Sequence, residues 1–384
     1  MPTSPSDDPI YLDHNATTPL LDAVVDAMLP YLREHFGNPS SGHVYGRRAH
    51  EGAERARARV AELIGASPDE IVFTSGGTEA NNLAIRGVAA SAEKPGHLIT
   101  SSVEHPAVAR PCDHLERKGW RVDRLPVDPH GQVDVDAFER ALEPETTLAT
   151  LMHSNNQTGV LQPLGECAQF ASEQGVFVHT DAAQSVGKVP VDVDELGVDL
   201  LTIAGHKLYA PKGVGALYVR HGTPIAPVLL GAGHEGGLRP GTENVASIVG
   251  LGAACEIATR TLAEERARQS GLRDHLWALL QQEVPGIALN GHPTARLPNT
   301  LNVRFPNVSG NAVLAAASEI AASTGSACHE GGAEVASAVI TALGVEESAA
   351  LGSVRLSIGR STTCGDIEQA AKALVEAWRQ LRDQ

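Results

Sequence analysis

The chain has 384 residues, 42% of them hydrophobic, and a net charge of −16. This is the profile of a soluble globular protein long enough for two domains. The acidic excess argues against a nucleic-acid groove or an anionic membrane surface, and no direct nucleic-acid or membrane partner is expected. No run reaches the roughly 18 apolar residues of a membrane span. The first residues, MPTSPSDDPIYLDHN, hold neither a basic region nor an apolar run, so no secretion signal is expected. Five scattered cysteines without CxxC spacing suit a reducing cytoplasm better than a disulfide framework or a zinc site, and no metal is expected.

Residues 20–36 and 45–64 read as amphipathic helices. A short buried strand at 70–74 is followed by Gly-Gly-Thr and a helix from about Glu79. Then come strand 97–101, helix 106–118, strand 121–127 and a helix from about Asp136. Apolar, β-branched runs at 148–153, 176–180, 200–203 and 215–219 complete the set. Helices between strands imply a mostly parallel sheet with its sites at the carboxyl ends of the strands. A long helix at 247–283 precedes a strand at 300–304, a helix near 312–320, a strand at 354–358 and a last helix from about Asp366. That tail reads as a smaller α+β domain.

The segment VFVHTDAAQSVGKVPVDVDELGVDLLTIAGHKLYAPKGVGALYVR places Asp181 at the end of one strand and Lys207 just beyond the next. A lysine amine can form a Schiff base with an aldehyde cofactor, and an aspartate can keep a pyridinium nitrogen protonated. Alone, Asp181 reads as a cap or turn residue and Lys207 as a surface lysine. Together at adjacent strand ends they point to pyridoxal phosphate. Gly76, Gly77 and Thr78 open a helix directly after a strand, which offers free amides and a favourable dipole to a phosphate. His206 can add a donor there, and His105 can lie flat on a pyridine ring, although either histidine alone suits a structural role. Cys328 sits in ASTGSACHEGG, a small-residue loop that favours an exposed, reactive thiol over a buried one. A metal site of Cys328, His329 and Glu330 is a weaker reading, because adjacent residues rarely converge on one ion. The four other cysteines read as structural. Arg355, on the alternating strand VRLSIGR, can clamp a carboxylate, with Arg360 as the lesser alternative.

The motifs YLDHNATTP, FGNPSSGH, FTSGGTEANN, VEHPAV, NNQTGV, HTDAAQ, GHKLYAPKG, RPGTEN, TGSAC and VRLSIGRSTT follow one another along nearly the whole chain. In them the sequence resembles the pyridoxal-phosphate-dependent cysteine desulfurases of the class V aminotransferase group, and in RPGTEN and SACHEGG their selenocysteine lyase-like branch. The resemblance implies an α/β fold of type I, a mostly parallel seven-stranded sheet sandwiched by helices. It implies a large cofactor domain over 15–260 and a smaller α+β domain from 1–14 and 261–384. Lys207 would carry the cofactor and shuttle the α-proton, and Asp181 would pair with the pyridinium. Gln184 and Asn156 would bond the ring oxygen, and His105 would stack on the ring. Gly77, Thr78 and His206 would hold the phosphate, joined by Thr242 from a second subunit of a homodimer. Asn38, Asn156 and Arg355 would contact the substrate. Cys328 would take sulfur from L-cysteine, releasing L-alanine, and pass it to an acceptor protein. L-selenocysteine is the alternative substrate, and a sulfur-relay scaffold without turnover is the non-enzymatic rival. Against the common pattern, Ala204 stands where many relatives have a phosphate-binding serine. Gln157, His234 and Gly236 also depart from it, as do Val335 and Ala336 beyond the cysteine.

Overall fold

Seven strands form the central sheet of the computed structural model, which describes residues 8–324 and 334–383. In chain order they are β1 (Ile71–Thr74), β2 (His97–Ser101), β3 (Arg121–Leu125), β4 (Thr146–Thr150), β5 (Phe177–Asp181), β6 (Leu200–Ala204) and β7 (Gly215–Val219). Across the sheet they run β1-β7-β6-β5-β4-β2-β3. All neighbours pair in parallel except β7, which is antiparallel to both β1 and β6. The chain winds outward from β2 to β3, then returns to β4 on the other side of β2. That reversal opens a crevice at the carboxyl ends of β2 and β4, where α/β proteins bind ligands.

The strands read as continuous apolar runs because each face of the sheet is covered. Ile71, Phe73, Ile99, Ala149, Leu201 and Ala216 point into one core. Their immediate neighbours Val72, Leu98, Leu148, Leu200 and Leu217 point into the other. The first core is closed by α1 (Asp22–Arg33) and α2 (Val44–Leu63), the second by α3 (Gly77–Ser91) and α4 (Pro106–Glu116). The expected mostly parallel seven-stranded sheet between helices is therefore what forms.

A further core lies around strands β8 (Ala288–Leu289), β9 (Thr300–Arg304) and β10 (Ser353–Ser357), an antiparallel sheet with β9 in the middle. Leu301, Val303, Val354 and Leu356 pack there against α5 (Val245–Glu283) and α6 (Cys364–Arg382). The chain start joins it: Ile10–Tyr11 pairs in parallel with Ile320–Ala321, and Leu12 is fully buried in this core. The helix α5 links the cores, with Ile248 and Leu251 in the first and Leu276 and Leu280 in the last. By length and composition α5 could cross a membrane, contrary to the sequence reading, but 67% of its apolar window is buried inside the protein. It is the core helix of two packed units.

Boundaries shift where capping decides them. The helix α3 starts at Gly77, not near Glu79, because Gly76 at φ 144° already turns the chain. The helix expected at 312–320 is Gly310–Ala316, with Ser309 as its cap. Asp366 does not begin α6; it closes a capping box with Thr363 three residues earlier. The strand expected over 148–153 ends at Thr150, after which the chain bends into the crevice.

Candidate active site

A cavity of about 220 Å³ lies at the carboxyl ends of the central strands, lined by Gly77, Thr78, Asn81, His105, Asn156, Asp181, Gln184, Ala204, His206 and Lys207, with Ala107, Met152, Ser154 and Ala183. Every residue proposed for cofactor contact is there except Thr242. A more open cleft of about 1280 Å³, bordered by Arg57, His221 and Glu235, holds none of them.

Strand pairing brings the two key groups together. β5 and β6 run in parallel with Asp181 opposite Thr202, so both chains leave the sheet at the same end. Asp181 is the last residue of β5, and Lys207 ends a short 3₁₀ turn directly after β6. The Asp181 carboxylate is buried and fixed: Oδ2 accepts from Asn81 Nδ2 at 2.7 Å, and Oδ1 from the Ala183 amide at 3.0 Å. Asn81 escaped the sequence reading, yet it stands one helical turn after Gly77 and so shares its face of α3. The Lys207 ammonium donates to the carbonyls of Asn15 at 2.6 Å and Ala16 at 2.7 Å. These carbonyls belong to the segment after YLD, which the motif signalled without any role being read from it. Burial, and next the Arg355 charge, push the Lys207 pKa down to about 8.

The start of α3 carries the anion site. Gly76 offers no capping side chain, so the first amides of the helix are left for a ligand. A Cβ added at Gly77 would sit 3.2 Å from the Ala204 Cβ, closer than most carbon contacts, so this cradle is built around glycine. Ala204 thus brings a methyl group where a serine would bring a donor. His206 faces Thr17, Nδ1 to Oγ1 at 3.2 Å, and burial followed by the Lys207 charge lowers it to about 4. Glu79 closes the turn, accepting from the Ser75 amide at 2.7 Å and from Arg239 at 2.9 Å.

On the other wall, His105 caps α4 by accepting the Ala107 amide on Nδ1 at 3.1 Å. Its neutral form therefore carries the proton on Nε2, and burial lowers its pKa further, with Asp181 opposing and Lys207 assisting. Gln184 donates to the Asn15 carbonyl at 2.9 Å and accepts from buried Lys188 at 2.9 Å. Arg355 lies on β10 and reaches across from the smaller core. One Nη bonds the Asn156 carbonyl at 3.0 Å and the other Asp13 at 2.6 Å, while its buried Nε has no partner among the described residues. Arg360 is turned elsewhere, onto Thr261 at 2.8 Å and over the Tyr209 ring.

Asn38 and Thr242 are exposed and lie outside the cavity lining of this chain. The AGHEGG loop before Thr242 is anchored by Glu235, which holds Arg57 through two bonds of 2.8 Å and the Phe73 amide at 2.7 Å. Those bonds keep Glu235 at φ 49°, a left-handed backbone that a non-glycine residue rarely takes. Cys328, His329 and Glu330 lie outside the described residues. The flanks of their segment are tied to the site: Ser323 pairs with the Arg355 backbone, and Ser337 bonds the Gln157 side chain. Of the four other cysteines, Cys112, Cys167 and Cys255 are buried as expected of structural residues, whereas Cys364 is exposed.

Two consequences are measurable. Peptide-resolved labelling with an amine-reactive reagent will show Lys207 of the cofactor-free protein reacting with a midpoint near pH 8. A midpoint above 10, as for a free lysine, contradicts the burial argument. Behind His105, the Glu104 carboxyl is buried, with Oε1 on Ser101 and the Met152 amide and Oε2 without a partner among the described residues. Burial raises it to about 8 from 4.5, so the fold favours its neutral form. Its stabilising effect is complete below pH 4.5 and lost as pH rises towards 8. Glu104→Gln removes that loss, and the difference in melting temperature between variant and parent must grow in the variant's favour over this interval.

The aminotransferase class-V family model matches residues 10–370. The chain is 46% identical over 376 residues to a protein of Dictyoglomus turgidum named cysteine desulfurase IscS, covering 97% of this chain and 95% of that one. It is 43% identical over 379 residues to a human cysteine desulfurase, covering 98% and 83%. A solved NifS-like protein superposes with a TM-score of 0.91 at 35% identity, covering 97% of this chain and 100% of its own. A structure described as SspA in complex with cysteine gives 0.81 at 37% identity, covering 91% and 98%. The family match, these identities and the shared architecture agree along nearly the whole chain, which belongs to the cysteine desulfurases of the class-V aminotransferase family.

Proposed function

We propose that the protein is a pyridoxal-phosphate-dependent cysteine desulfurase that converts L-cysteine to L-alanine and leaves the sulfur as a persulfide on Cys328. The observation that carries this reading is one small cavity holding the Lys207 amine, the fixed Asp181 carboxylate and the uncapped start of α3. These donors and acceptors fit the cofactor's aldehyde, ring nitrogen and phosphate in turn. When bound, pyridoxal phosphate supplies the electron sink for carbanion chemistry at the substrate Cα.

The chain's own groups do the rest. Asp181, held by Asn81, accepts the ring N–H and keeps that proton in place. The Gly77 and Thr78 amides and His206 hold the phosphate, one donor short because of Ala204. Gln184 and Asn156 stand beside the ring oxygen, and His105 presents its Nε2 proton at the ring face. Lys207, with its lowered pKa, gives and takes the α-proton near neutral pH. Arg355 lies outside the cavity lining, its Nη atoms on Asn156 and Asp13, and is proposed to exchange one of these contacts for the substrate carboxylate. Asn38 is proposed to complete that contact from its exposed loop. The Cys328 thiolate attacks the substrate sulfur, the C–S bond breaks, and its electron pair goes to the substrate carbon, which is then protonated.

We further propose a cytoplasmic homodimer in which Thr242 completes the partner's phosphate site, and a protein acceptor for the sulfur. Apolar side chains left in solvent support the dimer, among them Phe36 at 71% and Leu230 at 88% exposure. Sedimentation of the loaded protein at micromolar concentration is expected to give the dimer mass, and a monomer would overturn the shared site. After incubation with L-cysteine, mass spectrometry is expected to find one added sulfur on Cys328. Cys328→Ser should keep the cofactor's colour and lose sulfide release. Turnover of cysteine at parental rate in that variant, or turnover of selenocysteine alone in the parent, would overturn the assignment.

A further inference from the structure

Away from the cavity, α5 and α6 bring together three side chains that the proposed reaction does not use: His275, Cys364 and Glu368. Cys364 and Glu368 are four residues apart on α6, so thiol and carboxylate stack on one face of the helix. The register of that turn is fixed by the capping box, in which Thr363 Oγ1 accepts the Asp366 amide at 3.2 Å and Asp366 accepts the Thr363 amide at 2.8 Å. His275 comes from the half of α5 that enters the smaller core, next to fully buried Leu276.

The spacing is that of ligands around one ion. His275 Nε2 lies 3.7 Å from Glu368 Oε1, and Cys364 Sγ lies 3.6 Å from the same oxygen. All three ligand atoms fall within 4.8 Å of one another. A tetrahedral zinc ion with bonds of roughly 2.0–2.3 Å sets its ligand atoms about 3.3–3.6 Å apart. Two edges of the ligand triangle are therefore already close to the bound length. The imidazole supplies an independent sign. The His275 side chain is 40% exposed and its Nε2 faces the Glu368 carboxylate at 3.7 Å, too long for a hydrogen bond, with no hydrogen-bond partner among the described residues. Such an atom costs stability unless something fills its lone pair or takes its proton. Cys364 and Glu368 are exposed, which leaves an entry path and room for a water as fourth ligand.

We propose that His275, Cys364 and Glu368 form a zinc-binding site that clamps α6 to α5. The thiolate and imidazole favour a borderline-soft divalent ion over magnesium or calcium. Binding releases the Cys364 thiol proton to solvent and leaves the oxidation state of metal and sulfur unchanged. The sequence reading saw no metal site because His275 is far from α6 along the chain and no CxxC spacing marks the pair.

The test uses the full, cofactor-loaded chain in a Cys328→Ala background, so that the sulfur-carrying thiol cannot bind the probe. Zinc affinity is measured by competition with a chromogenic chelator, and the melting temperature is followed with and without zinc. One zinc per chain is expected, with a rise in melting temperature. Cys364→Ser and His275→Ala should each weaken binding by at least about tenfold and abolish the rise, with Glu368→Gln weaker than the parent. Circular dichroism of the zinc-free variants, matching the parent, separates lost ligation from lost folding. No binding in the parent, or equal affinity in the parent and both ligand variants, overturns the site.

Discussion

The parallel pairing of β5 with β6 is the constraint on which the site rests. It sets Asp181 against Thr202, and so delivers a carboxylate and, a few residues later, an amine to the same edge of the sheet. A slip of one residue would turn Asp181 into a helix-covered face and bury its charge among apolar side chains. Two apolar cores, one on each side, oppose that slip, since Leu200 and Leu201 would exchange environments at the same time. The catalytic geometry is thus held by hydrophobic burial well away from the chemistry.

Burial also sets the charge states around the cavity. Lys188 is buried against Gln184 and Asn15 with no carboxylate partner among the described residues, and burial, then Lys207 and Arg355, bring it down to about 7. His14, His153 and His206 are each pushed to about 4, burial being the largest cause. Charge on these groups would add to that of Lys207 and Arg355 in a low-dielectric pocket. With the three histidines neutral, the field there is left to Asp181, Asp13, Lys207 and Arg355, with Lys188 charged in part near neutral pH. Among the histidines, His206 meets Thr17, whereas both ring nitrogens of His14 and Nδ1 of His153 have no hydrogen-bond partner among the described residues.

Much of this was legible in the sequence because it depends on local periodicity. Apolar runs located the strands, and residues just past them, Asp181, His105 and Lys207, had to lie at one edge of a parallel sheet. Gly77 was legible as a strand-to-helix turn. The supporting residues were not, because their contacts span the chain: Asn15 meets Lys207 across 192 positions, and Asp13 meets Arg355 across 342. Nothing local to a lysine shows which carbonyls will receive it. Asn81 is intermediate, since helical spacing put it on the Gly77 face but could not name Asp181 as its partner. Glu235 was hidden for another reason: its backbone is strained, and the groups that hold it, Arg57 and the Phe73 amide, are distant in sequence.

The smaller core explains how the two halves of the proposed reaction can share a site. Arg355 belongs to β10, whose backbone pairs with Ser323, and its side chain crosses to Asn156 behind β4. The segment carrying Cys328 therefore follows a residue, Ser323, that is paired with the strand holding the guanidinium. It returns at Ser337, which bonds the side chain of Gln157, the residue after Asn156. Gln157 brings a neutral amide to this junction. Its oxygen accepts the Ser337 hydroxyl, a tie across 180 positions that involves no charged group. Gln157 thus ties Ser337, and through its backbone carbonyl Asn302 of the smaller core, to the loop that carries Asn156.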